Sequence, residues 1–225
     1  MGAPTVALFD VDGTLVDTGG AGGRSWRAAF QELYGIPGDI TRFSEVGMTD
    51  LVVARDTFAG TLGRDPADTE LTALIAAYVR GLPDEVARSK GYRVLPGVAQ
   101  LLDRLSRAGV VLGLVSGNVE GAARIKIGRA DLNRFFPFGG YATDSGDRSE
   151  LTRAAIARAE ALAGEPLDPA RVFVVGDTPR DVDAAHGAGA VAVAVATGSF
   201  PAETLATAGA DHVLGTLEEP FPADG

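Results

Sequence analysis

Four short, unbroken apolar runs, each halting on small polar or acidic residues, constrain this chain more than any other feature. Thr5–Phe9 (TVALF) stops at Asp10-Val11-Asp12-Gly13-Thr14, and Val110–Val115 (VVLGLV) at Ser116-Gly117-Asn118. Arg171–Val175 (RVFVV) stops at Gly176-Asp177, and Val191–Val195 (VAVAV) at Ala196-Thr197-Gly198-Ser199. Asp211–Leu214 is a weaker fifth run. Short apolar runs bounded by turn residues read as strands. Their lack of alternation implies burial on both faces, as in a parallel sheet. Helical periodicity lies between them. Val98, Leu101, Leu102 and Leu105 form an i, i+3, i+4, i+7 stripe, and 151–162 and 180–188 also read as helices. Gly109, Gly164 and Gly189 stand near the helix ends as stop signals. Strands alternating with helices predict an α/β fold built of βαβ units.

Residues 17–91 break the alternation. Trp26, Phe30, Leu33 and Tyr34, then Leu51–Phe58, then Leu71–Leu82 all look helical, and no strong strand separates them. Pro96-Gly97 marks the return to the core. An excursion this long needs packing of its own. The expected organisation is therefore a core domain from 1–16 and 92–225, with a helical cap domain inserted at 17–91.

Composition excludes several chemistries. The chain has no cysteine, so disulfides, thiolate metal sites and thiol nucleophiles are ruled out. Its formal net charge of −10 and the absence of a Lys/Arg cluster argue against nucleic acid or an anionic membrane as partner. No apolar run approaches the ~20 residues needed to span a bilayer, and Met1–Thr5 does not open a signal sequence. The expected location is the cytoplasm, as a monomer or homodimer.

In an open parallel sheet, ligands bind beyond the carboxyl ends of the strands. Asp10/Asp12, Ser116/Asn118, Asp177 and Thr197/Ser199 all stand there and would converge on one edge. Several carboxylates brought together repel one another unless one is protonated or a cation is present. Hard oxygen ligands without a neighbouring His or Cys favour Mg²⁺, which commonly joins carboxylates to a substrate phosphate. The residues thus suggest phosphate chemistry.

Asp10-Val11-Asp12-Gly13-Thr14 resembles DxDGT, the first motif of the haloacid dehalogenase superfamily. Ser116-Gly117-Asn118 resembles the second motif, a Ser or Thr at a strand end, and Gly176-Asp177-Thr178-Pro179-Arg180-Asp181 resembles the fourth, GDxxxD. Order and spacing match across nearly the whole chain. The resemblance implies a Rossmann-like core with an inserted helical cap, and a Mg²⁺-dependent phosphatase acting on a small-molecule phosphate monoester. It implies that Asp10 is the nucleophile, forming an aspartyl-phosphate, and that Asp12 is the general acid and base. Dehalogenase members lack an acid at the position of Asp12, so its presence favours phosphate transfer. Mg²⁺ would be held by the Asp10 carboxylate, the Asp12 backbone carbonyl and Asp177, with Asp181 nearby, through water or as a supporting partner. Ser116, Gly117 and Asn118 would bind phosphate oxygens, and Gly13 would let the backbone approach the phosphate.

The third motif, commonly Lys-Pro, reads Asp147-Arg148-Ser149-Glu150-Leu151 here. Arg148 is expected to supply the positive charge. Lys126 is the rival, but within the helix after the second motif it reads as an exposed helix lysine. In the cap, the Gly47-Met48-Thr49-Asp50 turn and Arg24 could reach the substrate. Arg24 follows the Gly19–Gly23 stretch, which reads as a hinge or flap. It could bind a second anionic group, or be a solvated residue of the first helical turn. His186 and His212 read as packing or surface residues. Two alternatives stand beside the phosphatase: a phosphomutase resembling β-phosphoglucomutase, and a catalytically silent binding protein on the same fold.

Overall fold

Val6–Phe9 form strand β1 at the centre of a six-stranded sheet. All four side chains are buried, Val6 and Leu8 in one hydrophobic cluster and Ala7 and Phe9 in the other. A core on each side explains why the run never alternates. The structure, a computed structural model, describes residues 4–224. Strands β2 (Val16–Asp17) and β3 (Arg93–Val94) pair as a small antiparallel ribbon. The main sheet continues with β4 (Val111–Val115), β5 (Phe138–Gly140), β6 (Val172–Gly176), β7 (Val191–Val195) and β8 (His212–Leu214). Its order is β5-β4-β1-β6-β7-β8, and every pairing is parallel. The chain runs outward from β1 to one edge, returns, and runs to the other. This puts the ends of β4, β1 and β6 side by side at the reversal point, where open α/β sheets bind ligands.

Helices cover both faces. α4 (Val98–Arg107) buries the predicted stripe of Val98, Leu101, Leu102 and Leu105, and α5 (Glu120–Gly128) adds Ala123 and Ile127 on that side. α6 (Arg148–Ala163), α7 (Pro179–Gly187) and the short α8 (Ala202–Thr207) pack on the opposite face through Leu151, Ala155, Val182, Ala185 and Leu205. Among the described residues, no helix is long and apolar enough to cross a membrane.

The excursion after β1 is helical, as expected. It comprises α1 (Ala21–Tyr34), α2 (Asp50–Leu62) and α3 (Asp68–Arg88). They share a cluster around Trp26, Phe30, Phe58, Leu74, Tyr78 and Leu82, which Val119, Ala122 and Ala142 of the core join. Trp26 stacks on Tyr78 with ring centroids 4.1 Å apart. The β2–β3 ribbon brings the outgoing and returning chains together, with Asp17 paired to Arg93.

Some elements differ from the sequence reading. β5 is Phe-Gly-Gly, which carries no alternation and no β-branched residue, and it forms through parallel pairing to β4. Within Gly19–Gly23, Gly19 and Gly20 adopt left-handed backbone angles, and Gly22 and Gly23 belong to helix α1, which starts at Ala21. α6 starts three residues before the apolar periodicity does, because the Asp147 side chain caps it, accepting from Ser149 N at 2.7 Å and Glu150 N at 3.1 Å.

Candidate active site

Asp10 stands one residue beyond β1, its backbone N–H donating to Val175 O at 2.8 Å, so it remains in register with the end of β6. Asp177 follows β6 directly. Asp181 sits in the first turn of α7, where Thr178 is the N-cap and Pro179 the first helical residue. The Thr178 N–H donates to Asp181 Oδ2 at 3.0 Å and the Thr178 hydroxyl donates to the same oxygen at 2.7 Å. Capping thus fixes one oxygen of Asp181 and leaves the other for the site. Carboxylate oxygens of Asp10, Asp177 and Asp181 all lie within 4.8 Å of one another.

Glycines make this crowding sterically feasible. A Cβ at Gly198 would lie 1.7 Å from Asp177 Oδ2, and one at Gly13 would lie 2.4 Å from the same atom. Gly13 also has φ +81°, a conformation natural to glycine. Thr14 donates its hydroxyl to Asp177 Oδ1 at 3.2 Å, and Thr197 donates to Gly13 O at 2.7 Å. The sequence argument placed Gly13 against a phosphate; in the structure its missing side chain admits Asp177.

Burial pushes Asp10 up from 3.8 to about 7, with the neighbouring carboxylates of Asp181 and Asp12 adding to the rise and Arg148 opposing it. Asp177 is raised to about 8, first by burial and then by Asp10 and Asp181. Such a site has high affinity for positive charge. Arg148, at the start of α6, supplies part of it. Its guanidinium contacts Asp181 and lies 3.7 Å from Asp10 Oδ1, and it also donates to Gly47 O at 3.3 Å. The three carboxylates offer hard oxygen donors alone, the set that suits Mg²⁺.

Asp12 is turned away from this cluster. Its Oδ2 accepts from Lys126 Nζ at 2.6 Å and from Asn118 Nδ2 at 2.8 Å. Asn118 Nδ2 also donates to Ser116 Oγ at 2.8 Å, and Asn118 Oδ1 accepts from Lys126 at 2.5 Å. Lys126 is therefore not an exposed helix lysine. It is 5 % exposed, because its side chain runs back along α5 toward the strand ends and meets Asp12. Burial alone would lower its pKa, but Asp12, Tyr78 and Asp50 outweigh that and hold the ammonium above the ordinary lysine value.

A cavity of about 480 Å³ opens between these strand ends and the helical excursion. Asp10, Asp12, Ser116, Gly117, Asn118, Lys126 and Arg148 line its core side. Trp26, Ile40, Val46, Met48, Val53 and Tyr78 line the other. The Gly47–Asp50 turn docks on the core: Asp50 N donates to Gly117 O at 2.6 Å, and Asp50 Oδ2 accepts from Val119 N at 2.9 Å. Burial raises Asp50 to about 6, against the lowering influence of Lys126.

Arg24 is not brought to the cavity. Its guanidinium is held on the outer surface by Glu85 at 2.8 Å and by Gly19 O at 2.8 Å, so the solvated-residue reading applies. His186 is exposed and pairs with Asp211 at 3.1 Å, away from the site. Sequence reasoning missed the depth of Lys126, the wall formed by Gly198, and Asp50 as a docking group. A lysine spaced to face back toward Ser116-Gly117-Asn118 was the available signal for the first.

The sequence matches the profile of the haloacid dehalogenase-like hydrolases over residues 4–189. It is 28% identical to phosphoglycolate phosphatase 1 of Pseudomonas aeruginosa over 226 residues, covering 97% of this chain and 79% of that protein. It is 30% identical to hexitol phosphatase A of Escherichia coli over 215 residues, covering 94% and 91%. The fold is similar to that of CbbY from Rhodobacter sphaeroides, solved in complex with phosphate, with a TM-score of 0.75, 20% identity and 96% of each chain covered. With the profile matched over most of its length and phosphatases among its relatives, the chain belongs to the haloacid dehalogenase-like hydrolase family and is a phosphatase within it.

Proposed function

We propose that the protein hydrolyses a small phosphate monoester through an aspartyl-phosphate on Asp10, with residues 17–91 acting as the cap that selects the alcohol. The observation that carries this reading is the pairing of two unlike carboxylates on one cavity wall. Asp10 is packed among Asp177, Asp181 and Arg148, whereas Asp12, two residues on, is held apart by Lys126 and Asn118. One environment suits a nucleophile that must accept a phosphoryl group. The other suits a group that exchanges protons with the leaving alcohol and with water.

Asp10, Asp177 and Asp181, with the backbone carbonyl of Asp12, would hold Mg²⁺. The ion would supply positive charge to offset the repulsion between the phosphate dianion and Asp10. Arg148 adds a fixed guanidinium beside Asp10. Ser116 and the N–H groups of Gly117 and Asn118 would bind phosphate oxygens. An Asp10 carboxylate oxygen attacks phosphorus, the bond to the ester oxygen breaks, and Asp12 delivers a proton to that oxygen. Asp12 then takes a proton from water, which attacks the aspartyl-phosphate, releasing inorganic phosphate and restoring Asp10. The relatives' names point to phosphoglycolate and a hexitol phosphate as candidate substrates.

The test is Mg²⁺-dependent release of phosphate from phosphoglycolate, hexitol and sugar phosphates, nucleoside monophosphates and an aryl phosphate, ranked by kcat/KM. Asp10→Asn should fold normally and lose at least about 10³-fold in kcat. Full activity in that variant would sink the mechanism. No release from any ester by folded wild-type protein would sink the phosphatase chemistry proposed here.

A further inference from the structure

Two buried cations flank the candidate active site, and they serve different carboxylates. Arg148 contacts Asp181 and approaches Asp10. The ion pair of Lys126 is with Asp12, at 2.6 Å, and its second short contact is with Asn118 Oδ1 at 2.5 Å. The Tyr78 hydroxyl, from the helical excursion, also lies against the ammonium. A lysine so enclosed is held by its partners, since a buried ammonium without them is strongly disfavoured.

The two oxygens of Asp12 are in unlike settings. Oδ2 accepts from both Lys126 and Asn118, while the side chain as a whole is 44% exposed and lines the cavity. Two donors on one oxygen restrain the carboxylate, and Asp12 lines the cavity that an ester would fill. Asn118 links the same tether to Ser116 Oγ. One lysine thereby ties the end of β1 to the end of β4.

We propose that Lys126 is a positioning residue for Asp12, clamping Oδ2 so that Oδ1 is aimed at the leaving-group oxygen. The inference rests on the phosphatase reading, with Asp12 as acid and base. In the first half-reaction, Asp12 Oδ1 gives its proton to the ester oxygen as the P–O bond breaks. In the second, it takes a proton from the water that attacks the aspartyl-phosphate. Lys126 makes and breaks no bond in either half, so in the first half its loss should be felt in proportion to how much each leaving group needs that proton, and in the second equally for all substrates.

The measurement is leaving-group dependence with Mg²⁺ present. The probes are p-nitrophenyl phosphate, whose phenolate departs without protonation, and whichever of phosphoglycolate or a hexitol phosphate the wild type turns over faster. Lys126→Met, which keeps the length of the side chain, should lower kcat/KM, which reports only the steps up to the aspartyl-phosphate, by about 100-fold on the alkyl ester and by less than about 5-fold on the aryl ester. The double variant Asp12→Asn/Lys126→Met should be no slower than Asp12→Asn alone, because the lysine acts through that carboxylate. If Lys126→Met does not fold, Lys126→Gln reads the same ratio. Equal losses on both esters, additive losses in the double variant, or no loss at all would each overturn the proposal. Where the wild type turns over neither of those alkyl esters, the alkyl probe is whichever ester of the full panel it does hydrolyse; release from none of the panel would overturn the phosphatase reading and this inference together, which sets that failure apart from the others.

Discussion

The two walls of the cavity are built in opposite ways. On the core side, Asp10 lines the cavity, and Asp177 and Asp181 are packed against it among glycines and tied to a strand end and a capped helix, so that little can move without a clash. On the helical wall, Ile40, Val46, Met48 and Val53 present apolar side chains from a connecting segment and from α2. Under the proposed function, the first wall concentrates charge whose position must not vary, whichever alcohol is bound. The second offers surface whose shape can change without touching that charge. Chemistry and selectivity are therefore separable, and changes on one side should leave the signature of the other intact.

The sharpest way to break that separation is at Gly198. A Cβ there would lie 1.7 Å from Asp177 Oδ2, so Gly198→Ala must push the carboxylate aside. The expected cost is about 1–3 kcal/mol of stability and about 10–100-fold in Mg²⁺ affinity, read from the Mg²⁺ dependence of activity. The ranking of substrates should not change. A reordered ranking with unaltered Mg²⁺ dependence would mean that the core wall reads the alcohol after all.

Charge on the core wall also gives a pH signature. Asp10 and Asp177, at about 7 and about 8, lie above their ordinary value of 3.8. Between that value and about 8 the folded protein without metal binds more protons than the unfolded chain, so its stability falls as pH rises through the window. In EDTA the melting temperature should drop by about 5 °C from pH 6 to pH 8. Added Mg²⁺ should flatten the decline, stabilise most at the alkaline end, and release protons on binding. A melting temperature that is flat in EDTA across this range would show that Arg148 alone neutralises the cluster.

The core wall is also the part that could be read from sequence. Asp10, Ser116 and Asp177 each follow an unbroken apolar run, so their convergence needs only strand periodicity and the rule for open parallel sheets. Asp181 is fixed by local capping chemistry in Thr178-Pro179-Arg180-Asp181. Residues whose place is decided by long-range contacts escape such reasoning, on the core wall as well as elsewhere. Lys126 looks like any helix lysine until α5 is packed against the end of β1, more than a hundred residues away in the chain. Arg24 reads equally well as a ligand or a surface residue, and Glu85 on α3 decides the matter. β5 escapes for a related reason: Phe-Gly-Gly has no intrinsic strand signal and exists because β4 offers an edge.

The smallest expected effect tests the helical wall at its least obvious member. Gly22 and Gly23 occupy the first turn of α1 and line the cavity. A helical glycine costs about 0.5–1 kcal/mol relative to alanine, and such a cost is normally explained by a neighbour that needs the room. At Gly23 there is none, since a Cβ would meet nothing within 4 Å. Gly23 lines the cavity, and under the proposed function that space takes the alcohol of the substrate. Gly23→Val should raise KM for a hexitol phosphate by about tenfold relative to acetyl phosphate, with kcat and the Mg²⁺ dependence little altered. Gly23→Ala should do the same more weakly while raising the melting temperature, because alanine suits the helix better. If both variants leave the ratio of the two KM values where it was, this stretch of α1 does not contact the substrate. Selectivity would then be sought in the 40–49 segment, where Ile40, Val46 and Met48 face the same cavity.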